Sequence, residues 1–164
     1  MSDTEQKIRQ AISLRESGDA EQARKLWLSL LEEEPGNAEI WYQTGWTHDV
    51  LGLEREAVPY YEEAIRLGLG EESLAGALLG LGSTFRSLGE YGRAAEVLEQ
   101  GMSAFPERRE FRVFYAMVLY NLGRHPKAME LLLAEIADTS GDDGIRGYAR
   151  AIRFYADKLD EVWQ

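Results

Sequence analysis

Leu78 to Pro106 reads LLGLGSTFRSLGEYGRAAEVLEQGMSAFP. It carries a small residue at Gly82, a glycine seven positions later at Gly89, an alanine five beyond that at Ala94, and a bulky Leu98 after four more. The same spacing recurs as Ala11, Gly18, Ala23, Trp27; as Gly45, Gly52, Ala57, Tyr61; and as Ala116, Gly123, Ala128, Leu132. A small residue midway along one helix and an alanine in the next let two backbones approach. The glycine between them supplies the left-handed conformation that ends the first helix at little steric cost. Each unit therefore reads as an antiparallel helix pair joined by a short turn.

The turn glycines are 34, 37 and 34 residues apart, the period of helical solenoids. The units resemble the tetratricopeptide repeat, whose W-x2-L-G-x2-Y, A-x3-F and closing P are best matched in the middle of the chain. The second repeat has Trp41-x2-Thr44-Gly45-x2-His48 and Ala57-x3-Tyr61; the third has Leu78-x2-Leu81-Gly82-x2-Phe85, Ala94-x3-Leu98 and Pro106. The first keeps Ala11, Leu14, Ala23, Trp27 and Pro35 but places Lys7 and Gln10 at apolar positions, as suits an end facing water. The fourth keeps Tyr115, Ala116, Leu119, Ala128 and Leu132, with Arg112 at the tryptophan position and Ser140 at the closing proline.

The resemblance implies an all-α fold, a right-handed α-α superhelix of four helix-turn-helix repeats over about 4–37, 38–71, 75–108 and 109–142, in a single domain spanning 1–164. Ile145, Tyr148, Ala149, Ile152, Tyr155, Ala156, Leu159, Val162 and Trp163 follow the i, i+3, i+4, i+7 progression of one apolar helix face. A capping helix over about 143–163 is expected, with Asp142-Asp143-Gly144 at its start. The three extra residues fall in 68–73, where Leu69 replaces the usual proline, and predict a wider connection. Pro59, beyond the first turn of its helix, predicts a kink.

Composition bounds the function. The 164 residues are 45% hydrophobic and 29% charged, as in a soluble globular protein. No apolar run approaches the ~20 residues of a membrane span, and Met1-Ser2-Asp3-Thr4-Glu5 is acidic where a secretory signal is basic and then apolar. A cytoplasmic protein is expected. Without cysteine there are no disulfides, thiol nucleophiles or thiolate metal sites. Twenty-nine acids against 18 bases leave a net charge of −11, which opposes binding to nucleic acid or to anionic membranes.

Motifs for chemistry are missing. Gly68-Leu69-Gly70 and Gly80-Leu81-Gly82 do not complete a dinucleotide fingerprint, and no phosphate loop, zinc-protease or nucleophile-elbow motif occurs. No cofactor or metal is expected. His48 sits at an aromatic position of its repeat and reads as a packed, hydrogen-bonded residue; His125, before Pro126, reads as a turn residue. Glu32-Glu33-Glu34 reads as a solvated helix end. A hydrolase-type enzyme using His48 as general base, assisted by Asp49, is the remote alternative.

In tetratricopeptide proteins the first helices line a concave groove. Carried onto this chain, that implies Ile8, Ile12, Arg15 and Glu16; Tyr42, Trp46, Asp49 and Val50; Leu79, Ser83, Arg86 and Ser87; and Val113, Met117, Tyr120 and Asn121. Asp49 and Arg86 would form a polar pair. The carboxylate clamp of chaperone-binding members is not matched, since Ile8, Ile12, Gln43, Ser83 and Ser87 occupy its positions. The resemblance, which extends to small stand-alone bacterial members, implies a non-enzymatic scaffold binding a protein or peptide in that groove. The alternative is a self-associating homodimer, using the last helix or the cluster of Trp41, Tyr42 and Trp46.

Overall fold

The computed structural model describes residues 3–163. Met1, Ser2 and Gln164, the ends of the expected 1–164 domain, lie outside the described residues. Ten helices make up the described chain: α1 (Asp3–Glu16), α2 (Ala20–Glu33), α3 (Ala38–Val50), α4 (Glu54–Leu67), α5 (Glu71–Ser87), α6 (Tyr91–Ala104), α7 (Glu110–Asn121), α8 (His125–Thr139), α9 (Asp143–Gly147) and α10 (Ala149–Tyr155). They fall into two compact units, divided after Glu90 within the third repeat.

All four ruler glycines adopt positive φ, from 71° at Gly52 to 91° at Gly18. The surrounding hydrogen bonds explain why. Asp19 N donates to Leu14 O and Gly18 N to Arg15 O; the pairs Leu53 to His48 with Gly52 to Asp49, Glu90 to Phe85 with Gly89 to Arg86, and Arg124 to Leu119 with Gly123 to Tyr120 repeat the pattern. These are Schellman closures, in which two nested bonds satisfy the last carbonyls of the first helix and require a left-handed residue at the turn. An L side chain at any of the four is strained whatever the space around it.

In the first unit each helix packs on the next, from α1 through α5, and α3 also touches α1 and α5. Ala11, Ala23, Trp27, Leu30, Leu31 and Ile40 are buried together, with Ile8, Ile12, Trp41 and Tyr60 packed around them. Trp27 and Tyr61, at the bulky ruler position, are 0% and 2% exposed. The second unit repeats the arrangement: α6 packs on α7, α7 on α8, and α8 on α9 and α10. Ala116, Leu119 and Ala128 form its inner cluster, against which Tyr115, Leu131 and the half-buried Leu132 pack.

Arg112, at the tryptophan position of the fourth repeat, takes over one of tryptophan's tasks. In the second repeat the Trp41 Nε1–H donates to Pro35 O at 2.8 Å; in the fourth, Arg112 Nη2 donates to Pro106 O, also at 2.8 Å. Each ties the start of a first helix to the proline that closes the preceding repeat. Arg112 also reaches Glu135 at 3.3 Å, a carboxylate only 8% exposed that Arg109 binds at 2.9 Å. Trp41→Phe, which keeps the ring and deletes the N–H, is expected to cost about 0.5–1.5 kcal/mol. A urea-melt midpoint at constant m-value measures it.

Two expectations are corrected. The three extra residues between the second and third repeats do not widen the connection, which is Gly68 to Gly70 alone; they lengthen α5 to 17 residues, against 13 in α3 and 12 in α7. Gly68, at φ 96°, turns the chain at once, and Glu71 and Glu72 in the first turn of α5 favour early helix initiation through its dipole. The single helix expected over 143–163 is broken. Asp142 caps it, accepting from Ile145 N at 3.0 Å, but α9 ends at Gly147, α10 ends at Tyr155, and 156–163 is not helical. Gly144 and Gly147 weaken the first segment. Asp157, Asp160 and Glu161 place negative charge beyond the C-terminal end of α10, where the helix dipole disfavours it.

Pro59 sits inside α4, which continues through it as one α-helix from Glu54 to Leu67.

Candidate functional site

In the first unit the exposed residues of α3 stand on a buried support. Trp46 is 43% exposed and Val50 53%. Beneath the indole, the Arg15 guanidinium lies 3.9 Å from the ring centroid, while Arg15 itself is only 8% exposed. Its Nη1 donates to Gln43 O at 3.4 Å and to Thr47 Oγ1 at 3.3 Å. Burial lowers the Arg15 pKa from its ordinary value, yet guanidinium stays charged at any physiological pH. Arg15 therefore belongs to the support and not to the surface. Tyr42 stacks beside Trp46 with centroids 6.0 Å apart.

Tyr42 fits because α5 has no side chain where its hydroxyl lies. A Cβ on Gly76 would stand 2.2 Å from the Tyr42 hydroxyl oxygen, and one on Gly80 2.7 Å from that of Tyr61. The Tyr61 hydroxyl donates to Asp49 Oδ2 at 2.7 Å, and Thr84 Oγ1 lies 2.9 Å from both Asp49 oxygens. Thr84 Oγ1 is also 2.8 Å from Gly80 O, so its single proton is shared between carboxylate and carbonyl. Burial pushes the Asp49 carboxyl above the ordinary aspartate value, and the Tyr61 and Thr84 hydroxyls act the other way. The Tyr61 phenol is raised too, by burial and by the adjacent carboxylate. A small recess of about 160 Å³ opens beside Asp49, lined also by Glu54, Ser83, Thr84 and Ser87.

The Asp49–Arg86 pair expected from sequence is not what the structure forms. Asp49 is met by two hydroxyls, and Arg86 Nε has no hydrogen-bond partner among the described residues. Leu79 and Ser83 are half-buried on α5. In the second unit, on α7, Met117 and Tyr120 are 37% and 64% exposed, with Val113 and Asn121 half-buried and Tyr120 set against His125 at 4.8 Å.

His48 is packed. It is 3% exposed, its Nδ1–H donates to Thr44 O at 2.8 Å, and its ring stacks on Tyr60 at 4.6 Å. Among the described residues no group of three or more His, Asp or Glu is placed to hold a metal ion, and no helix is long and apolar enough to cross a membrane.

Sequence reasoning missed Tyr61 and Thr84 as the partners of Asp49. A signal was present: Gly76, Gly80 and Thr84 recur every four residues, a row of small side chains along one face of α5.

This helix-pair architecture with its Schellman turns is that of a tetratricopeptide solenoid. The family model for the tetratrico peptide repeat matches residues 38–159, and a second tetratricopeptide repeat model matches 8–37, so the chain belongs to the tetratricopeptide repeat family. No curated protein matches it significantly. Among solved structures, a double mutant of MamA from RS-1 is similar at 17% identity and a TM-score of 0.76, covering 98% of this chain and 89% of that one. YrrB, described as a TPR protein with an unusual peptide-binding site, is similar at 22% identity and a TM-score of 0.70, covering 94% and 77%. The nearly identical TPR-like repeats of a putative kinesin light chain of Podosopora anserina give 18% and 0.72, covering 95% and 86%.

Proposed function

We propose that the chain is a non-enzymatic scaffold that binds a protein or peptide through the exposed faces of its first helices. In the first unit the face comprises Tyr42, Trp46, Asp49, Val50, Leu79, Ser83 and Arg86; in the second it comprises Val113, Met117, Tyr120 and Asn121. The observation that carries this reading is Trp46. A half-exposed indole held from behind by a buried, hydrogen-bonded arginine is a rigid aromatic anchor, the residue type that dominates interface energies. The packing of His48 supports a scaffold over a hydrolase, because its ring is closed in by Tyr60 and one nitrogen is committed to a backbone carbonyl. The acidic balance favours a protein or peptide over nucleic acid.

The test is Trp46→Ala, with partners captured from the native lysate on immobilised wild-type and variant chains. The variant is expected to keep its helical circular-dichroism spectrum and a melting temperature within a few degrees of wild type, while retention of the captured partner drops about tenfold or more. Unfolding of the variant, or undiminished capture, would sink the assignment.

A further inference from the structure

The apolar face of the C-terminal segment is only partly buried. Ala149 and Ile152 are half-buried and Ala156 is buried, but Tyr148 and Trp163 are 71% and 57% exposed, and Phe154, off that face, is 52% exposed. Phe154, Tyr155 and Trp163 nonetheless pack against one another. Phe154 and Tyr155 meet edge to face at 5.2 Å, and Trp163 reaches Tyr155 at 5.4 Å and Phe154 at 6.3 Å. The turns after α10 thus fold back and fix Trp163 beside the helix. A recess of about 340 Å³ opens on this face, lined by Gly147, Tyr148, Arg150, Ala151, Phe154 and Tyr155.

Of the residues lining the recess, Arg150 alone is charged. Helices α9 and α10 carry Arg146, Arg150 and Arg153 against a single acid, Asp143, while the stretch beyond them adds Asp157, Asp160 and Glu161 against Lys158. Arg146 bonds Asp143 and Arg153 bonds Asp138. Arg150, on the wall of the recess, meets no carboxylate among the described residues.

We propose that this face docks an acidic amphipathic helix of a partner protein. An aliphatic or aromatic side chain of that helix fills the recess against Phe154 and Tyr148, and a glutamate or aspartate one turn away pairs with Arg150. The aromatic cluster gives anchors that lose little entropy on binding, and the arginine gives the sign of the partner's charge. In a second copy of this chain the acidic helices α2 and α4 are poor occupants, because they already bury their apolar faces, through Trp27 and Leu30 in one and Ala57, Tyr61 and Ala64 in the other. The site lies within the second unit and is independent of the Trp46 face.

The experiment uses the full chain and two fluorescein-labelled helical peptides. Both carry leucine and phenylalanine at i, i+3, i+4 and i+7; the remaining positions are glutamate in one and lysine in the other. The net charge of the protein favours the lysine peptide at long range, so preference for the glutamate peptide reports the local face. Anisotropy titrations are expected to show the glutamate peptide binding at least ~10-fold tighter, with Arg150→Glu reversing the preference and Phe154→Ala weakening binding about tenfold. Trp46→Ala should change nothing. The proposal is overturned if the lysine peptide binds as well or better, or if Arg150→Glu leaves the preference intact. It is also overturned if sedimentation reveals a concentration-dependent dimer that Phe154→Ala abolishes, for then the face is covered by a second copy.

Discussion

Gly101→Ala is expected to destabilise the chain by about 2–3 kcal/mol, although alanine is the better helix former by ~1 kcal/mol. Gly101 lies in α6, near its end, and a Cβ there would stand 2.1, 2.4 and 2.6 Å from three ring carbons of Phe111. Carbon atoms in good contact are about 3.5–4.0 Å apart, so the ring must move by more than an ångström. It has nowhere to go. Phe111 is fully buried and stacks on Phe105, itself 6% exposed, with centroids 6.3 Å apart and planes within 10°. The gain in helix propensity is therefore outweighed by overpacking. For a chain of this length the melting temperature should fall by roughly 4–12 °C. Phe111→Leu in the Gly101→Ala background should recover part of the loss, giving a coupling energy above about 1 kcal/mol in a double-mutant cycle. An alanine variant as stable as wild type would mean that the α6–α7 contact is looser than described.

Gly101 shows where sequence pattern stops. Gly18, Gly52, Gly89 and Gly123 were readable because they serve the backbone, and a Schellman turn has the same requirement in every repeat. Gly76, Gly80 and Gly101 serve particular side chains, Tyr42, Tyr61 and Phe111, that lie 34, 19 and 10 residues away. That pairing depends on how one helix lies on its neighbour, which the repeat spacing does not contain. The same distinction explains the groove residues. Their positions are what the family resemblance implies; Trp46, Val50, Met117 and Tyr120 are exposed, and the others of the proposed faces are half-buried. Which side chain meets Asp49 does not follow. Arg86 is the chemically obvious partner in a list of residues, but Tyr61 and Thr84 reach the carboxylate first. The C-terminal segment failed for a third reason. Its apolar periodicity is real, but the glycines at its start and the acids at its end weigh against a continuous helix, and periodicity counts neither.

The Asp49 cluster gives the other large effect. Tyr61 is 2% exposed, wedged where Cβ atoms on Gly45 and Gly80 would stand 3.2 and 2.7 Å from its side chain. Tyr61→Ala empties a site that α3 and α5 are shaped around and should cost about 3–5 kcal/mol, as for other buried aromatics. Tyr61→Phe is the more informative change. It keeps the ring and removes one of two donors from a half-buried carboxylate, which should cost about 1–3 kcal/mol at neutral pH. The pH dependence fixes the cause. Because burial holds the folded Asp49 pKa above its unfolded value of about 3.9, its contribution to stability is fully present below that pH and is lost as pH rises through the higher folded value. Deleting the Tyr61 hydroxyl raises the folded value further, so the deficit of Tyr61→Phe should be largest near neutrality and shrink as Asp49 is protonated in the acid. Asp49→Asn keeps an oxygen for the Tyr61 and Thr84 hydroxyls and removes the charge. It should therefore lack this pH-dependent loss and, at neutral pH, equal or exceed wild type in stability. Urea melts of the three chains near pH 4.5 and pH 7 decide it. A Tyr61→Phe deficit that is the same at both pH values would show that the hydroxyl packs against Asp49 without stabilising its charge.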